Sequence, residues 1–133
     1  MSPLPAREGM ALDGRPLEWR ETPFHPDWAD QEPDAVIWID VQRFDAAWRR
    51  SGEWISSGGA GGQDDRYRRF GEWVVGAKPI EMCCIWLREA KVGFTNGRHR
   101  FAWLRDHGVV FIPVQVAPGK AAACASCYGI PSA

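Results

Sequence analysis

Residues 91–116 read KVGFTNGRHRFAWLRDHGVVFIPVQV, and this segment carries several local structural signals close together. KVGFT (91–95) is a short apolar run that predicts a strand. Asn96-Gly97 is a dipeptide typical of tight turns, and apolar residues at helical spacing follow it as far as His107. The segment is therefore predicted to begin as a strand that turns sharply into a helix.

The second half of the segment supplies the end of that helix and a further strand. Gly108 stands where a glycine commonly ends a helix. VVFIPVQV (109–116) is an apolar run that predicts a strand, in which Pro113 indicates an edge or bulge position.

The rest of the chain adds elements in an order that predicts one mixed domain. A short connection at 88–90 joins the apolar runs on either side of it as a hairpin. Residues 35–133 are predicted to form a single compact domain of the α+β (mixed α/β) class, with a small mixed sheet and flanking helices. Further strands are predicted at 35–41 and 81–87, and further helices at 41–50, 65–76 and, as a short element, 121–130.

Two segments lack a regular pattern. Residues 1–34 hold many prolines, and they are predicted to form an irregular arm that Trp19, Phe24 and Trp28 pin to the body. SSGGAGGQDD (56–65) predicts a flexible loop by its composition.

The bulk composition excludes several classes of protein. With 133 residues and 45% hydrophobic content, the chain can bury one core, and its formal net charge of -1 excludes a general polycation. Any nucleic acid must therefore meet a local basic patch. The eight tryptophans are predicted to fill the core, with a tryptophan-lined partner surface as the alternative. No run approaches membrane-spanning length and the N-terminus lacks the pattern of a signal peptide, so we predict a cytoplasmic protein without membrane insertion.

The four cysteines occur as Cys83-Cys84 and as Cys124-Ala-Ser-Cys127. They are predicted to be reduced structural thiols in a cytoplasmic chain. Metal binding or redox chemistry at the second pair stays open, but a zinc site needs two more ligands. Adjacent strand residues point to opposite faces, so only one thiol of the first pair easily reaches a shared metal. We assign no metal ligands.

The corner at Asn96-Gly97 has the composition of an anion site. The first turn of a helix offers unpaired N–H groups and a partial positive charge. Gly97 lets the backbone approach a phosphate, Arg98 and Arg100 add forked donors, and His99 adds a hydrogen-bond donor or a proton-transfer group. The alternative is a plain corner whose arginines face water or pair with acids such as Asp106.

The order of these pieces resembles the ParB/sulfiredoxin-like nucleotide-binding fold. FGEWVVGAKPI leads from a helix into a strand, TNGRHRFAW opens a helix that ends at DHG, and IPVQV is the last strand. Within that superfamily, FTNGRHRFAWLRDHGV is most similar to the plasmid fertility inhibition factor family. The resemblance covers roughly residues 35–130.

The resemblance implies that this corner holds nucleotide phosphates. Sulfiredoxins have Gly-Cys-His-Arg here, and Arg98 stands in place of their catalytic cysteine, so sulfinic acid reduction is not expected. The predicted phosphate-binding residues are Asn96, Gly97, Arg98, His99 and Arg100.

The resemblance also implies an inhibitor of conjugal transfer that acts on a coupling or secretion-system protein. ATP or CTP with Mg²⁺ is the implied ligand, and whether the protein is a weak nucleotide hydrolase or DNase stays open. Candidate catalytic residues are Asp40, Glu81 and His99, and a candidate nucleic-acid surface is formed by Arg66, Arg68 and Arg69. The alternatives are a stand-alone Mg²⁺-dependent nuclease or nucleotide hydrolase, and a protein-interaction module with a vestigial phosphate loop.

Overall fold

The structure is a computed structural model that describes residues 11–12, 15–22, 33–59, 64–76, 79–89 and 91–130. Its strands are β1 (Ala11–Leu12), β2 (Arg15–Pro16), β3 (Trp19–Arg20), β4 (Ala35–Asp40), β5 (Ile80–Glu81), β6 (Cys83–Arg88), β7 (Lys91–Asn96) and β8 (Phe111–Val116). Its α-helices are α1 (Val41–Trp48), α2 (Asp64–Val75), α3 (Arg98–Asp106) and α4 (Ala121–Tyr128). Each helix and long strand lies within a few residues of its predicted position, and the α+β class is confirmed.

The main sheet has four strands in the order β4-β8-β6-β7. β6 and β7 form the predicted antiparallel hairpin, with Arg88 opposite Lys91. α3 then carries the chain across to β8, which runs parallel to β6 and antiparallel to β4. Because β7 runs antiparallel to β6, the end of β7 and the start of α3 lie beside the start of β6.

Pro113 lies in a central strand, so the prediction that it marks an edge or bulge is wrong. β8 pairs with β4 along its whole length, and Pro113 faces Trp38 there. The parallel pairing with β6 begins only at Val114, which lies opposite Cys83. Proline lacks an N–H donor, and it is tolerated here because the second ladder starts one residue after it.

α3 ends at the glycine that the sequence indicates. Gly108 has φ +86°, its N–H donates to Arg105 O at 3.3 Å, and the N–H of Val109 donates to Leu104 O at 3.0 Å. This pattern is a Schellman motif, in which a left-handed glycine satisfies the last carbonyls of the helix.

The core is an aromatic cluster between α1, α3, α4 and β7. The ring of Phe44 makes edge-on contacts with Phe94, Phe101 and Tyr128 at centroid distances of 5.3–5.5 Å. Trp48 is fully buried and makes similar contacts with Phe94 and Phe101. Edge-on aromatic pairs add to the stabilisation that burial provides.

The tryptophans divide between the core and the surface. Trp48 and Trp103 are buried, which confirms the predicted core role for these two. Trp73 on α2 is 43% exposed. Trp28 lies outside the described residues, and the half-buried tryptophans are Trp19, Trp38, Trp54 and Trp86.

The described part of the predicted arm is more regular than its pattern indicates. β3 pairs in parallel with β5, and Trp19 packs against the core as predicted. The hydroxyl of Thr22 donates to Met82 O at 2.9 Å. Phe24 lies outside the described residues, as do residues 60–63 of the predicted loop.

Candidate phosphate-binding corner

Gly97 joins β7 to α3 in a backbone conformation that only glycine adopts readily. Its φ is +98° and its ψ is 16°. A Cβ atom at this position would lie 2.8 Å from Sγ of Cys83 and 3.1 Å from its Cα. The Cys83 thiol is fully buried and donates a hydrogen bond to Gly97 O at 3.3 Å. Cys83 therefore forms the floor under the corner, and both the space and the backbone require glycine.

The first turn of α3 presents backbone donors at this corner. The first backbone hydrogen bond of the helix runs from Phe101 N to Gly97 O at 2.9 Å. As at every helix start, the N–H groups that come before that bond lie outside the intrahelical hydrogen-bond ladder. Glycine has no side chain with which to cap them. The helix therefore directs a partial positive charge toward the corner.

An open cavity of about 410 Å³ lies over this helix start. Three arginines and one carboxylate line it, because Arg66 of α2 joins the two arginines of the corner and Glu53 is the only acid in the lining. The charge and the backbone donors favour an anion in the cavity. The lining residues are Glu53, Arg66, Phe70, Phe94, Thr95, Asn96, Gly97, Arg98, His99 and Arg100.

Arg100 is anchored to the backbone that enters β6. Its Nη1 donates to Glu81 O at 2.6 Å and lies 3.3 Å from Met82 O. These contacts fix the guanidinium at the border between the first cavity and a second one of about 300 Å³. Arg100 therefore has a structural role in addition to its place in the corner.

His99 is only 7% exposed. Burial lowers the pKa of His99, and the positive charges of Arg98 and Arg66 lower this pKa further. The imidazole is therefore neutral at neutral pH, and its lowered pKa makes it a weaker base than an ordinary histidine.

The two predicted catalytic acids lie apart from each other. Asp40 immediately precedes α1, and its carboxylate accepts a hydrogen bond from Arg43 N at 3.0 Å, which is a helix-capping role. It sits on β4, at the opposite edge of the sheet from β7, and lines neither cavity. Glu81 lines the second cavity and pairs with Arg20 at 2.7 Å.

The three arginines of α2 point to three different places. Arg66 lines the first cavity and Arg69 lines the second. Arg68 is 62% exposed and pairs with Glu72 at 2.7 Å and Asp65 at 3.5 Å. Only Arg66 joins the corner, and Arg68 has the partners of a solvated helix face.

Asp106, at the end of α3, is the centre of a polar cluster that sequence reasoning considered only as a partner for the corner arginines. Its Oδ1 accepts from Arg105 Nε at 2.9 Å, and its Oδ2 accepts from the Tyr67 hydroxyl at 2.7 Å and from Gly58 N at 3.0 Å. Burial alone would raise the pKa of Asp106, but these hydrogen bonds outweigh burial and the pKa is lowered. Burial and the same carboxylate raise the pKa of Tyr67 to about 12.

Arg105 extends this cluster to α1. Its Nη1 donates to Asp45 Oδ1 at 2.9 Å, and Trp54 Nε1 donates to the same oxygen at 3.0 Å. The Arg105 side chain is only 11% exposed and its guanidinium lies 5.5 Å from the centroid of the Trp54 ring. In the sequence, the only indication of this cluster is the Arg105-Asp106 pair in the last turn of a predicted helix. The partners of these two residues lie far away along the chain, so the pair alone does not predict the cluster.

The four thiols differ in exposure. Burial raises the pKa of Cys83 and of Cys124 to about 11, whereas Cys127 is exposed. Burial also raises the pKa of the half-buried Cys84. In the part of the chain that the structure describes, no three His, Cys, Asp or Glu side chains lie together as a metal site.

The corner and the elements around it match a known protein family. Residues 77–129 match the plasmid fertility inhibition factor family. The matched segment contains β5 to β8, α3 and α4, and therefore the complete glycine corner. This match agrees with the family that the sequence resembles, while the kinship to ParB-type domains stays a prediction.

The fold is also similar to a crystal structure from the same class of proteins. That structure is the gold(I) cyanide derivative of the Oncogenic Suppression Activity Protein, a plasmid fertility inhibition factor. The TM-score is 0.59 at 19% sequence identity, and the alignment covers 90% of this chain and 80% of the other. This likeness establishes the shared fold. No curated protein matches the chain.

Among the described residues, no helix is both long and apolar enough to cross a bilayer.

Proposed function

We propose that the protein is a plasmid fertility inhibition factor that binds a phosphate group of a nucleotide or nucleic acid at the Gly97 corner. Inhibition of conjugal transfer is supported by the match of residues 77–129 to that family. The observation that carries phosphate binding is the cavity of about 410 Å³ at the start of α3, with three arginines against one glutamate. The inhibitor would act on a coupling or secretion-system protein, with the bound phosphate as its second ligand.

Several features of the corner suit a phosphate. Backbone N–H groups at a helix start and arginine side chains are the donors that proteins commonly use for phosphate oxygens. Arg98 lines the cavity over the helix start and does not line the second cavity. It is therefore the side chain most specific to phosphate binding. The neutral imidazole of His99 adds a polar group to the lining of the cavity.

Magnesium fits the corner only as part of an incoming nucleotide. The Glu81 carboxylate is already paired with Arg20 at 2.7 Å, and Asp40 caps α1 at the far edge of the sheet. These donors do not form a protein-built Mg²⁺ site, although Mg²⁺ often binds mainly through substrate phosphates. Bound in that way, the ion would neutralise phosphate charge, and ATP or CTP are the carriers that the family resemblance implies.

The test of phosphate binding compares two arginines that differ in position. Titration calorimetry with ATP, CTP and pyrophosphate should show binding to the parent protein and a loss of about tenfold or more for Arg98→Ala, because one charge-assisted hydrogen bond contributes about 1.5–3 kcal/mol. Arg68→Ala is the matched control, because Arg68 lines neither cavity. Equal affinity for the parent and Arg98→Ala, or no binding to the parent, would remove the phosphate from the proposal.

The test of inhibition is a mating assay. Donor cells that express the parent protein should transfer a conjugative plasmid less often than cells with an empty vector. Undiminished transfer would contradict the family function whatever the result with nucleotides. Hydrolysis of ATP or DNA that requires Mg²⁺ and disappears in Glu81→Gln would instead favour the nuclease or hydrolase alternative.

A further inference from the structure

A second groove lies beside the corner and has a different character. One wall is α2, which contributes Arg69, Phe70 and Trp73, and the other wall is the β3–β5 ribbon. We call this surface the Trp73 groove, and its volume is about 300 Å³. The ribbon side contributes Arg20, Pro79 and Glu81.

The groove combines apolar surface with cations. Trp73 is the most exposed large hydrophobic side chain among the described residues, at 43%. Arg69 beside it is 70% exposed, and its ion pair with Asp65 is long, at 4.0 Å. Arg20 is 56% exposed in its pair with Glu81. Exposed ion pairs of this kind contribute little, so an incoming carboxylate can compete for these guanidinium groups.

Tryptophan and arginine side by side are the residue types most often found at the energetic centres of protein interfaces. Each of them matches a particular partner group. The indole of Trp73 and the ring of Phe70 offer a surface to an aromatic or large aliphatic side chain. The arginines offer forked donors to carboxylates.

The charge pattern separates a peptide from a nucleic acid as the occupant. Nucleic acid binding requires a run of cations that follows successive phosphates. At this groove, by contrast, acids stand beside the arginines: Glu81 lines the groove and pairs with Arg20, and Asp65 lies 4.0 Å from Arg69. Successive phosphates would meet these carboxylates, whereas a peptide with separate carboxylates can place each beside an arginine.

We propose that the Trp73 groove binds an acidic segment of a partner protein that carries an aromatic or large aliphatic side chain between its carboxylates. This inference rests on the proposed function, because the partner would be the transfer component that the protein inhibits. The Trp73 groove shares Arg100 and Phe70 with the cavity of the corner. Trp73 and Arg69, however, line the groove and not that cavity. Binding of the peptide and binding of phosphate are therefore separable by mutation.

The experiment measures fluorescence anisotropy of a labelled peptide, Asp-Glu-Phe-Asp-Leu, with the full chain. The parent protein should bind it, and Trp73→Ala and Arg69→Glu should each weaken binding by about tenfold or more, as expected of residues at an interface centre. Arg68→Glu is the matched control and should change affinity by less than about threefold, because rim charges contribute little. The neutral peptide Asn-Gln-Phe-Asn-Leu should bind at least about tenfold more weakly, since it lacks the carboxylates.

Other outcomes would overturn the inference. The first is that the acidic peptide does not bind the parent protein. The second is that Arg68→Glu and Arg69→Glu weaken peptide binding equally. The third is that oligothymidine displaces the labelled peptide whereas the unlabelled acidic peptide does not. Circular dichroism checks that each variant folds. If Arg69→Glu does not fold, the affinity of Trp73→Ala and the binding of the neutral peptide still test the inference.

The same variants separate this inference from the proposed function. Arg98→Ala should leave peptide binding unchanged while it weakens phosphate binding. Failure of the parent to inhibit mating would overturn the proposed function, whereas failure of the peptide to bind would overturn the groove alone. If the parent inhibits mating, then Trp73→Ala should inhibit less, and undiminished inhibition would overturn the inference.

Discussion

Replacement of Gly97 by alanine tests the geometry of the corner directly. Two independent costs are expected. A left-handed backbone costs a residue with a Cβ atom about 1–2 kcal/mol, and Gly97 has φ +98°. The new methyl group would also lie 2.8 Å from Sγ of the buried Cys83, and overpacking of this kind costs about 1–3 kcal/mol. We therefore expect Gly97→Ala to lower the free energy of unfolding by about 2–5 kcal/mol.

Gly108 provides the matched control. Its φ is +86°, but no atom lies within 4 Å of an added Cβ. Gly108→Ala should therefore carry only the backbone cost of about 1–2 kcal/mol. Any effect of alanine on the unfolded chain is common to both variants and cancels in the comparison. The difference between them isolates the contact with Cys83.

Urea unfolding followed by tryptophan fluorescence measures both variants. Introducing Cys83→Ala together with Gly97→Ala removes the nearest clashing atom, so the added cost of the alanine at 97 should shrink in that background, although the Cα of Cys83 still lies 3.1 Å from the methyl group. If Gly97→Ala is no more destabilising than Gly108→Ala, the close packing of the corner on Cys83 is refuted.

Three further predictions concern other groups. Tyr67→Phe should lower the free energy of unfolding by about 1–2 kcal/mol, because the Asp106 carboxylate loses a hydrogen bond of 2.7 Å. In NMR titrations the pKa of His99 should lie below its ordinary value and rise when pyrophosphate is added, since a bound anion offsets the charges of the neighbouring arginines that lower it. Iodoacetamide should label Cys127, which is exposed, well before Cys83, whose pKa burial raises to about 11.

Each of these predictions has a control with a definite sign. Tyr67→Phe in an Asp106→Ala background should cost much less than in the parent, and an equal cost would contradict the coupling. The lowered pKa of His99 means that unfolding takes up a proton, so its contribution to stability is present above about pH 6.5 and decreases as the pH falls below that value. A pKa of His99 that does not move with pyrophosphate would argue against an anion in the cavity. Equal labelling of both thiols would contradict the burial of Cys83.

The elements that sequence reasoning predicted well are those fixed by local patterns. The apolar spacing of Val41, Phe44, Ala47 and Trp48 predicts α1, and all four side chains are buried. The glycine corner and the C-terminal glycine of α3 were also predicted, because both depend on residues adjacent in the chain.

The features that were wrong or missed depend on distant partners. Pro113 is tolerated in a central strand because β6 starts beside the next residue, and no local signal shows where a neighbouring strand begins. The Arg105 cluster joins α1, α2 and α3 through Asp45 and Tyr67, whose positions only the tertiary fold brings together. Trp73 also differs from its prediction: it lies at helical spacing with apolar residues, which predicts burial, but its side chain is exposed.

The pairing of β4 with β8 has a consequence for how the chain reaches its fold. β4 and α1 lie outside the family-matched residues 77–129, yet they cover one edge of β8 and supply Phe44 and Trp48 to the core. Contacts between distant parts of a chain form slowly, because the entropy of loop closure is lost before the contacts are gained. Until β4 docks, the edge of β8 and the rings of Phe94 and Phe101 are exposed. We therefore expect refolding from urea to give less native protein as the protein concentration rises.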